Sequence, residues 1–542
     1  MLSSEEIEVY NINHLGIIAG IIDEIGILEI INEAIGIDPR EEVSPGVIVK
    51  AIILNGLGMV SKPLYLFPQF FEDKAVEHLL GKGIKPSHLN DDKIGRVMDK
   101  LFKFGLSPLF LLITLAAIKK YRINTEYSHL DSSSFALHGQ YLVDENREDS
   151  SEGEGDNLLP IRITHGYSRD HRPDLKQFII DLIVSGDGDV PIYLRVADGN
   201  ENDKAVFGEI ASEYKTLVDF DTMVVSDSAL YTQKNLKLMG EIEWLSRVPL
   251  SIKEAKKLVS ELQSADFKSS DIEGYSHCEV ESNYGGIPQR WLVVESEKRL
   301  SSDLEKLEKK IDQEQEKAQQ KLTQLMKKEF ASSEGATEIV NQYKNKLKYH
   351  RLTNLNIIEL DSSSKKQESP PETSYQITAN LDLDAQKVES LKRRAGRFIL
   401  ATNRLNQSEF SSEEILKKYK EQQAPERGFA FLKDPLFFAD SVFLKSPQRI
   451  ETMAMLMGLC LLVYSLGQRQ LRVSLKQAKE SLTNQLGKLT DRPTLRWIFQ
   501  CFAGIHLVTI QDTKQVVNLT EQRRKTLCFL PTACHKYYFL SG

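Results

Sequence analysis

Residues 125–137 read TEYSHLDSSSFAL, and the pattern of the chain changes at this stretch. Before it, apolar residues recur at helical spacing; after it, short apolar runs alternate with turns, which is typical of strands. Asp131 lies among small hydroxyl residues instead of bulky apolar ones. A lone aspartate at a strand usually forms a turn or a cap. A chemical role for Asp131 therefore depends on partner carboxylates elsewhere in the chain.

The residues that follow this stretch predict a mixed α/β core. The order is three strands, a helix, a strand, a helix and a strand. The later elements are KQFIIDLIV (176–184), VPIYLRVA (190–197), DKAVFGEIASEYKTL (203–217), FDTMVVSD (220–227), TQKNLKLMGE (232–241) and EWLSRVP (243–249). The buried strand at 220–227 ends on Asp227, which is a second candidate carboxylate. We place the first part of this core at residues 121–249.

The region before the core is predicted to be a separate helical domain, residues 1–120. A chain of 542 residues should divide into about three or four domains. Ser44 and Pro45 form a good helix start, and Asn90 is a plausible cap for a further helix.

Residues 250–395 are predicted to form an insertion domain with strands and a charged helix. Two strands should flank the turn at Gly285–Gly286. The helix LSSDLEKLEKKIDQEQEKAQQKLTQLMKKEF (300–330) is interpreted as a solvent-facing arm, with a coiled-coil dimer as the alternative. Residues 361–374 have the composition of a flexible loop.

The core resumes at residues 396–470, where the strand GRFILATN (396–403) leads into helices. The stretch YKEQQAPERGFAFLK (419–433) contains Pro425, which should end one helix and begin the next. Glu426 then falls in the first turn, where the helix dipole favours a carboxylate. Glu426 is therefore either a helix-capping residue or a rigidly aimed ligand for a metal ion.

The charge of the chain is unevenly distributed. The net charge is −8, but residues 391–542 contain 24 Lys and Arg against 12 Asp and Glu. The other 390 residues contain 45 Lys and Arg against 65 Asp and Glu. This asymmetry indicates that the C-terminal part, including a basic region at 471–542, contacts nucleic acid.

The sequence favours a cytoplasmic protein without a membrane partner. The start of the chain, MLSSEEIEVY, is acidic and polar, unlike a signal sequence. The longest uncharged apolar run, residues 452–467, is shorter than the roughly 20 residues of a membrane span and is interpreted as a buried helix. Five scattered cysteines suit a reducing compartment.

Several motifs resemble insertion-sequence transposases of the DDE type. The resemblance rests on YSHLDSSSF (127–135), HGYSRDHRPDLKQ (165–177), DGNENDK (198–204), VVSDSALYT (224–232) and RFILATN (397–403). The similar branch has a long insert before its third carboxylate and a signature of Tyr, Arg, Glu and Lys. Tyr419, Gln422, Glu426 and Lys433 fall on that spacing, with Gln422 in place of Arg.

The resemblance implies a ribonuclease H-like catalytic core interrupted by the mixed β/helical insert. It implies a catalytic triad of Asp131, Asp227 and Glu426 that binds two Mg²⁺ or Mn²⁺ ions. Asp131 would bridge both ions, and the other two carboxylates would each complete one. The implied reaction is hydrolysis of a phosphodiester at the element's end, followed by attack of the freed 3′-hydroxyl on target DNA.

The resemblance also implies the partners. These are double-stranded DNA with terminal inverted repeats and target DNA, bound by a homodimer in the nucleoid. The helices of residues 1–120 resemble a module of such enzymes and are a candidate for DNA-end binding. Tyr419, Gln422 and Lys433 would contact DNA, although neutral glutamine lacks the charged fork of arginine.

Two interpretations stay open from the sequence alone. Arg172 and Lys176 either contact DNA or pair with neighbouring aspartates. The whole chain is either an active transposase or a catalytically inactive, transposase-derived DNA-binding or regulatory protein.

Overall fold

A computed structural model describes residues 7–59, 62–139, 141, 158–218, 221–360, 374–435, 444–511 and 513–540. The chain divides into two compact units. The first unit comprises Met1–Ser246 and Lys417–Gly542, and the second comprises Arg247–Leu416. The loop predicted at 361–374 lies, except for its last residue, outside the described residues.

The N-terminal region is helical, as predicted. Its elements are β1 (Ile7–Asn11), α1 (Leu15–Ile25), α2 (Ile27–Ile35), α3 (Pro45–Gly56), α4 (Phe67–Phe71), α5 (Val76–Leu80), α6 (Asp91–Phe104) and α7 (Leu106–Tyr121). The Ser44 hydroxyl accepts from the Val47 N–H at the start of α3. Asn90 Oδ1 accepts from the Lys93 N–H, 2.9 Å away, at the start of α6. Both predicted caps are therefore present.

A mixed sheet follows in the first unit, and its element order is the predicted one. The elements are β2 (Tyr127–Leu137), β3 (Lys176–Ser185), β4 (Pro191–Ala197), α8 (Asp203–Leu217), β5 (Met223–Ser226), α9 (Gln233–Met239) and β6 (Trp244–Val248). The strand order is β4-β3-β2-β5-β6. Strands β4, β3 and β2 are antiparallel neighbours, whereas β2, β5 and β6 are parallel.

The second unit contains two sheets and a long helix. Its elements are α10 (Lys253–Glu261), β7 (Lys268–Ser269), β8 (Tyr275–Ser282), β9 (Gln289–Ser296), α11 (Glu297–Met326), β10 (Glu329–Phe330), α12 (Ser333–Lys344), β11 (His350–Leu360), β12 (Ser374–Leu383), α13 (Ala385–Arg394), β13 (Arg397–Thr402) and α14 (Ser412–Lys420), the last of which continues into the first unit. The strand orders are β13-β9-β8-β7 and β10-β12-β11.

The long helix α11 is only partly a solvent-facing arm. Most of its side chains are exposed, but Ala318, Leu322 and Leu325 are buried in an apolar cluster with Tyr343 and Ala379. The C-terminal part of α11 therefore packs against α12 and β12. This packing was not visible in the sequence because only three apolar positions carry it.

The chain then returns to the first unit. The remaining elements are α15 (Gln423–Leu432), α16 (Pro447–Ala478), β14 (Leu482–Thr483), β15 (Leu489–Thr490), α17 (Leu495–Cys501), β16 (His506–Ile510), β17 (Thr513–Val517) and α18 (Glu521–Leu527). Strand β16 pairs with both β1 and β17. The Ile17 N–H donates to the Tyr538 hydroxyl, 521 residues later in the chain. The two ends of the chain are therefore packed together in one body.

Helix α16 includes the apolar run predicted as a buried helix. Among the described helices, α16 is the one that is long and apolar enough to cross a membrane. Helices α6 and α7, which meet at a bend of 89°, would meet the same criterion only if the two were taken together as one span. In α16, 89% of the apolar window is buried inside the protein. Such burial is what a core helix requires.

The two faces of the mixed sheet carry different helices. On one face Tyr193 of β4 packs against Tyr214 of α8, with ring centroids 5.7 Å apart. On the other face Leu194 of β4 lies at Gly458 of α16, and Leu182 of β3 lies at Gly428 of α15. Because strand residues alternate between faces, the register of the sheet assigns Asp131 to the same face as Leu182.

Candidate active site

Asp131 and Asp227 occupy matching positions on neighbouring parallel strands. The register pairs Leu130 of β2 with Ser226 of β5, so the next residue of each chain segment is one of the two aspartates. The Asp227 carboxylate is oriented by its own turn, since Oδ1 accepts from the Ala229 N–H at 2.8 Å. The fold therefore brings together two carboxylates that are 96 residues apart in the sequence.

The pKa of Asp131 reflects its burial and the nearby Asp227. Burial, with a smaller contribution from the negative charge of Asp227, raises the pKa of the Asp131 carboxyl to about 6, although Arg169 acts in the opposite direction. A buried carboxylate beside a second carboxylate favours a bound cation, because the cation relieves both desolvation and repulsion. The pair is therefore suited to a divalent ion.

Ser132 anchors the opposite face of β2. Its hydroxyl donates to Asp181 of β3 across a short hydrogen bond, and Asp181 also accepts from Arg195 of β4 at 2.9 Å. Asp181 is fully buried, and Arg195 also pairs with Glu201. This network fixes the backbone of β2 next to Asp131.

Glu426 lies in the first turn of α15, as predicted, but the helix begins earlier than expected. Helix α14 ends at Lys420, and α15 begins at Gln423, so Pro425 is its third residue and not its first. Proline is tolerated there because the N–H groups of the first helical turn have no intrahelical acceptor. Pro425 is buried, and Glu426 is exposed.

Contacts on both sides of Glu426 attach α15 to β2. The Gln422 side chain donates to the Leu130 carbonyl at 3.0 Å and lies 3.1 Å from His129 Nδ1. One turn beyond Glu426, the Phe429 ring lies 6.5 Å from the Phe135 ring. Residues 422, 426 and 429 share one side of the helix. Glu426 therefore lies between two points at which α15 is attached to β2, with its own side chain exposed.

The three carboxylates are not closed around a common point in this conformation. Within the described ranges, no group of three or more His, Cys, Asp or Glu side chains lies close enough to hold a metal ion. The fold thus supplies the Asp131–Asp227 pair, with Glu426 on the adjoining helix. Membership of the three residues in one triad stays a prediction.

Arg169 is a site residue that the sequence reasoning missed. Its Nη1 lies 3.4 Å from Asp131 Oδ1 and donates to the Ser132 carbonyl, and its Nη2 forms a short ion pair with Asp203. Its backbone N–H donates to the Ser134 hydroxyl at 3.1 Å. The available signal was its place in HGYSRDHRPDLKQ, where Arg172 was singled out and Arg169 was not.

The predicted DNA-contacting residues have the following positions. Lys433 Nζ binds Asp170 at 2.8 Å and lies 5.1 Å from the centre of the Phe135 ring. Arg172 pairs with Asp174, and Lys176 donates to the Tyr141 carbonyl. Tyr419 is half-buried near the end of α14. Their contacts with DNA stay predictions.

Two glycines fix the segment that carries Arg169. Residues Thr164 and Gln177 exchange backbone hydrogen bonds, and Gln177 Nε2 donates to the Gly199 carbonyl at 2.7 Å. A Cβ at Gly199 would fall on the Gln177 carbonyl oxygen, and a Cβ at Gly166 would fall on the Gly199 carbonyl oxygen. Only glycine permits these backbones to approach so closely.

Gly199→Ala is therefore expected to destabilise the protein by about 2–3 kcal/mol, because the methyl group forces the backbones apart. Chemical denaturation monitored by circular dichroism measures the change. Gly186→Ala is the matched control, since a Cβ there meets its neighbours at an ordinary 3.5–3.6 Å. Equal stability of the two variants would contradict the close packing described above.

The comparison with known families now adds to this geometry. Residues 129–463, more than half of the chain, match the transposase DDE domain. The chain belongs to the DDE transposase family. It is therefore a transposase of the insertion-sequence type, an enzyme that cleaves DNA and transfers strands, and its family works with divalent metal ions. The prediction of the family and of its activity is confirmed.

Other comparisons extend the description of this transposase. Residues 7–115 match a domain of unknown function, DUF4277. Six solved chains match, among them piggyBac transposase in a cryo-EM synaptic complex with hairpin DNA. That chain is 9% identical, with 96% of this chain and 84% of that chain covered and a TM-score of 0.38. No curated protein matches the transposase. None of these findings favours the catalytically inactive alternative.

Proposed function

We propose that Asp131, Asp227 and Glu426 are the catalytic and metal-binding carboxylates of this transposase. The observation that carries the proposal is the position of Asp131 and Asp227 at matching points of two parallel strands. The position of α15 against β2 supports Glu426 as the third member. Bringing Glu426 to the pair requires a change from the conformation described above.

We also propose that the first unit contains a ribonuclease H-like core. Three antiparallel strands followed by two parallel ones, with helices on both faces, support this assignment. In this arrangement the first strand of the core is central and carries the first carboxylate. The domain boundaries at 120, 249, 395 and 470 remain part of the proposal.

The donor set fits Mg²⁺ or Mn²⁺. All three side chains offer carboxylate oxygens, which hard divalent cations prefer. Burial and the nearby charge of Asp227 raise the pKa of Asp131, and a bound cation would stabilise its ionised form. Two such ions would activate the attacking oxygen and stabilise the leaving oxygen in phosphoryl transfer.

The residues of the chain position DNA for two steps. In the first, water attacks the phosphodiester at the element's end and releases a 3′-hydroxyl. In the second, that hydroxyl attacks a phosphodiester of target DNA, so that one phosphodiester bond forms as another breaks. Phosphates near the carboxylates are held by five side chains, those of Tyr419, Gln422, Lys433, Arg172 and Lys176.

The proposed substrate is double-stranded DNA with terminal inverted repeats, and the working form is a homodimer on two ends. Joining two ends requires two active sites, which supports the dimer. The basic residues of 391–542 and the helical region matched by DUF4277 are candidates for end binding. Such an enzyme works in the cytoplasm, at the nucleoid.

The proposal predicts metal-dependent cleavage of the DNA that surrounds the coding sequence. Full-length transposase should nick this DNA at the element's ends with Mn²⁺ or Mg²⁺ and leave it intact in EDTA. Gel analysis of end-labelled fragments locates each nick, and a duplex of unrelated sequence is the control. Binding without nicking under all metal conditions would refute the proposal.

A further inference from the structure

Arg169 places a guanidinium group directly beside the proposed catalytic carboxylates. It is held by Asp131, by the Ser132 carbonyl and by Asp203, the first residue of α8. The side chain is nevertheless about one-third exposed, whereas Asp131 is only 14% exposed. The cation is therefore more accessible to solvent than the carboxylate that it contacts.

The adjoining helix lacks a comparable cation at the expected position. Gln422 occupies the position at which the transposase branch that the sequence resembles has arginine. Its amide group forms hydrogen bonds with the Leu130 carbonyl and with His129, both in β2. In the DNA-free protein this side chain attaches α15 to the sheet. Position 422 therefore contributes no positive charge to a phosphate beside Asp131.

The segment that carries Arg169 also contacts Lys433, another residue that is predicted to bind DNA. Asp170, the next residue, binds Lys433 Nζ with both carboxylate oxygens, at 2.8 and 2.9 Å. The Arg169 backbone is fixed to β2 through the Ser134 hydroxyl. Two cations, one on the β2–β3 connection and one at the end of α15, thus flank the same part of β2.

We propose that Arg169 binds a backbone phosphate of the DNA next to Asp131 and supplies the charge that position 422 lacks. The proposal rests on the assignment of Asp131 as a catalytic carboxylate. A guanidinium presents a planar fork that matches two phosphate oxygens. Asp131 and Asp203 hold the fork in the DNA-free enzyme, and the phosphate replaces them as its partner.

The test compares full-length Arg169→Ala with the matched control Arg299→Ala. Arg299 is similarly exposed, 40% against 33%, and pairs with Asp303 within α11, outside the regions proposed to bind DNA, so its loss also removes an arginine–aspartate ion pair. Affinity for the end-containing duplex is measured in EDTA at increasing salt concentration. This readout is independent of catalysis, and a purely structural ion pair would not change its slope.

Loss of one phosphate contact should reduce the slope of log affinity against log salt by about 0.9. Between 50 and 200 mM salt, Arg169→Ala then loses about 3.5-fold less affinity than the wild type. Arg299→Ala should keep the wild-type slope. An unchanged slope for a folded Arg169→Ala variant overturns the proposal.

Arg169→Lys keeps the test decisive if Arg169→Ala does not fold. Lysine retains the charge but not the fork, so the salt slope should be kept while Mn²⁺-dependent cleavage slows by roughly tenfold or more. Wild-type cleavage by Arg169→Lys overturns the proposal. Failure of the catalytic assignment is separate, because it appears as retained cleavage by Asp131→Asn whatever the salt slope of the Arg169 variants.

Discussion

We expect Asp131→Asn to slow DNA cleavage by about 10³-fold or more, while the variant still binds end-containing DNA. This result is expected because an amide cannot replace a carboxylate in neutralising and positioning a divalent ion, and several kcal/mol of transition-state stabilisation are lost. Single-turnover cleavage of an end-labelled duplex measures the rate. Asp312→Asn, an exposed aspartate of α11, is the control and should cleave normally.

The same variant should be more stable than the wild type above pH 6. The pKa of Asp131 is raised by burial from 3.8 to about 6, so the folded state favours the protonated carboxyl. Stability of the wild type is therefore lost as the pH rises from about 4 through 6, by up to about 3 kcal/mol. Asparagine carries no charge and removes this loss.

Denaturation of metal-free protein at pH 4 and at pH 7.5 checks this second effect. The stability difference between Asp131→Asn and wild type should be more favourable to the variant at pH 7.5. A variant that is inactive yet more stable cannot owe its inactivity to misfolding. Full cleavage activity in Asp131→Asn would refute the assignment of Asp131, and a destabilised variant at pH 7.5 would contradict the electrostatic argument.

Glu426→Gln separates the two interpretations of this residue. If Glu426 completes the metal site, cleavage should fall by about 100-fold or more, because one charged ligand is lost. If it only complements the helix dipole, stability should fall by less than about 1 kcal/mol and cleavage should be unchanged. Single-turnover cleavage and thermal denaturation together distinguish these outcomes.

Glu254→Gln is the matched control for Glu426→Gln. Glu254 is also an exposed glutamate in the first turn of a helix, in this case α10 of the second unit. The two variants should have similar stabilities, and only Glu426→Gln should lose activity. Normal cleavage by Glu426→Gln would remove this residue from the proposed triad, and the third carboxylate would have to be sought elsewhere.

Local patterns predicted the order of the strands and helices and marked Asp131 and Asp227 as candidate carboxylates, whereas their shared role was implied only by the family resemblance. The alternation of short apolar runs and turns gave the order of β2 to β6, and the end of a buried run marked Asp227. The proximity of Asp131 to Asp227 follows once β2 and β5 are parallel neighbours. Which strands pair, and in which register, is not determined by the residues next to each strand, so the proximity itself could not be predicted from local patterns.

Long-range contacts were beyond the reach of those patterns. Gln422 contacts Leu130 across 292 residues, and Arg169 contacts Asp131 across 38 residues through a loop without regular periodicity. A side chain that reaches across such a connection leaves no periodic signal. The start of α15 was misplaced by two residues for a related reason, since proline fits any position of a first turn.

Because β1 pairs with β16, the N-terminal part of this enzyme can complete its folding only after the C-terminal residues have been synthesised. Residues 7–11 leave the ribosome early, but their partners, residues 506–510, are synthesised almost 500 residues later. Cys534 likewise packs directly against the backbone of Gly20 in α1. A polypeptide released prematurely would leave an unpaired strand edge and an apolar helix face open, and both promote aggregation.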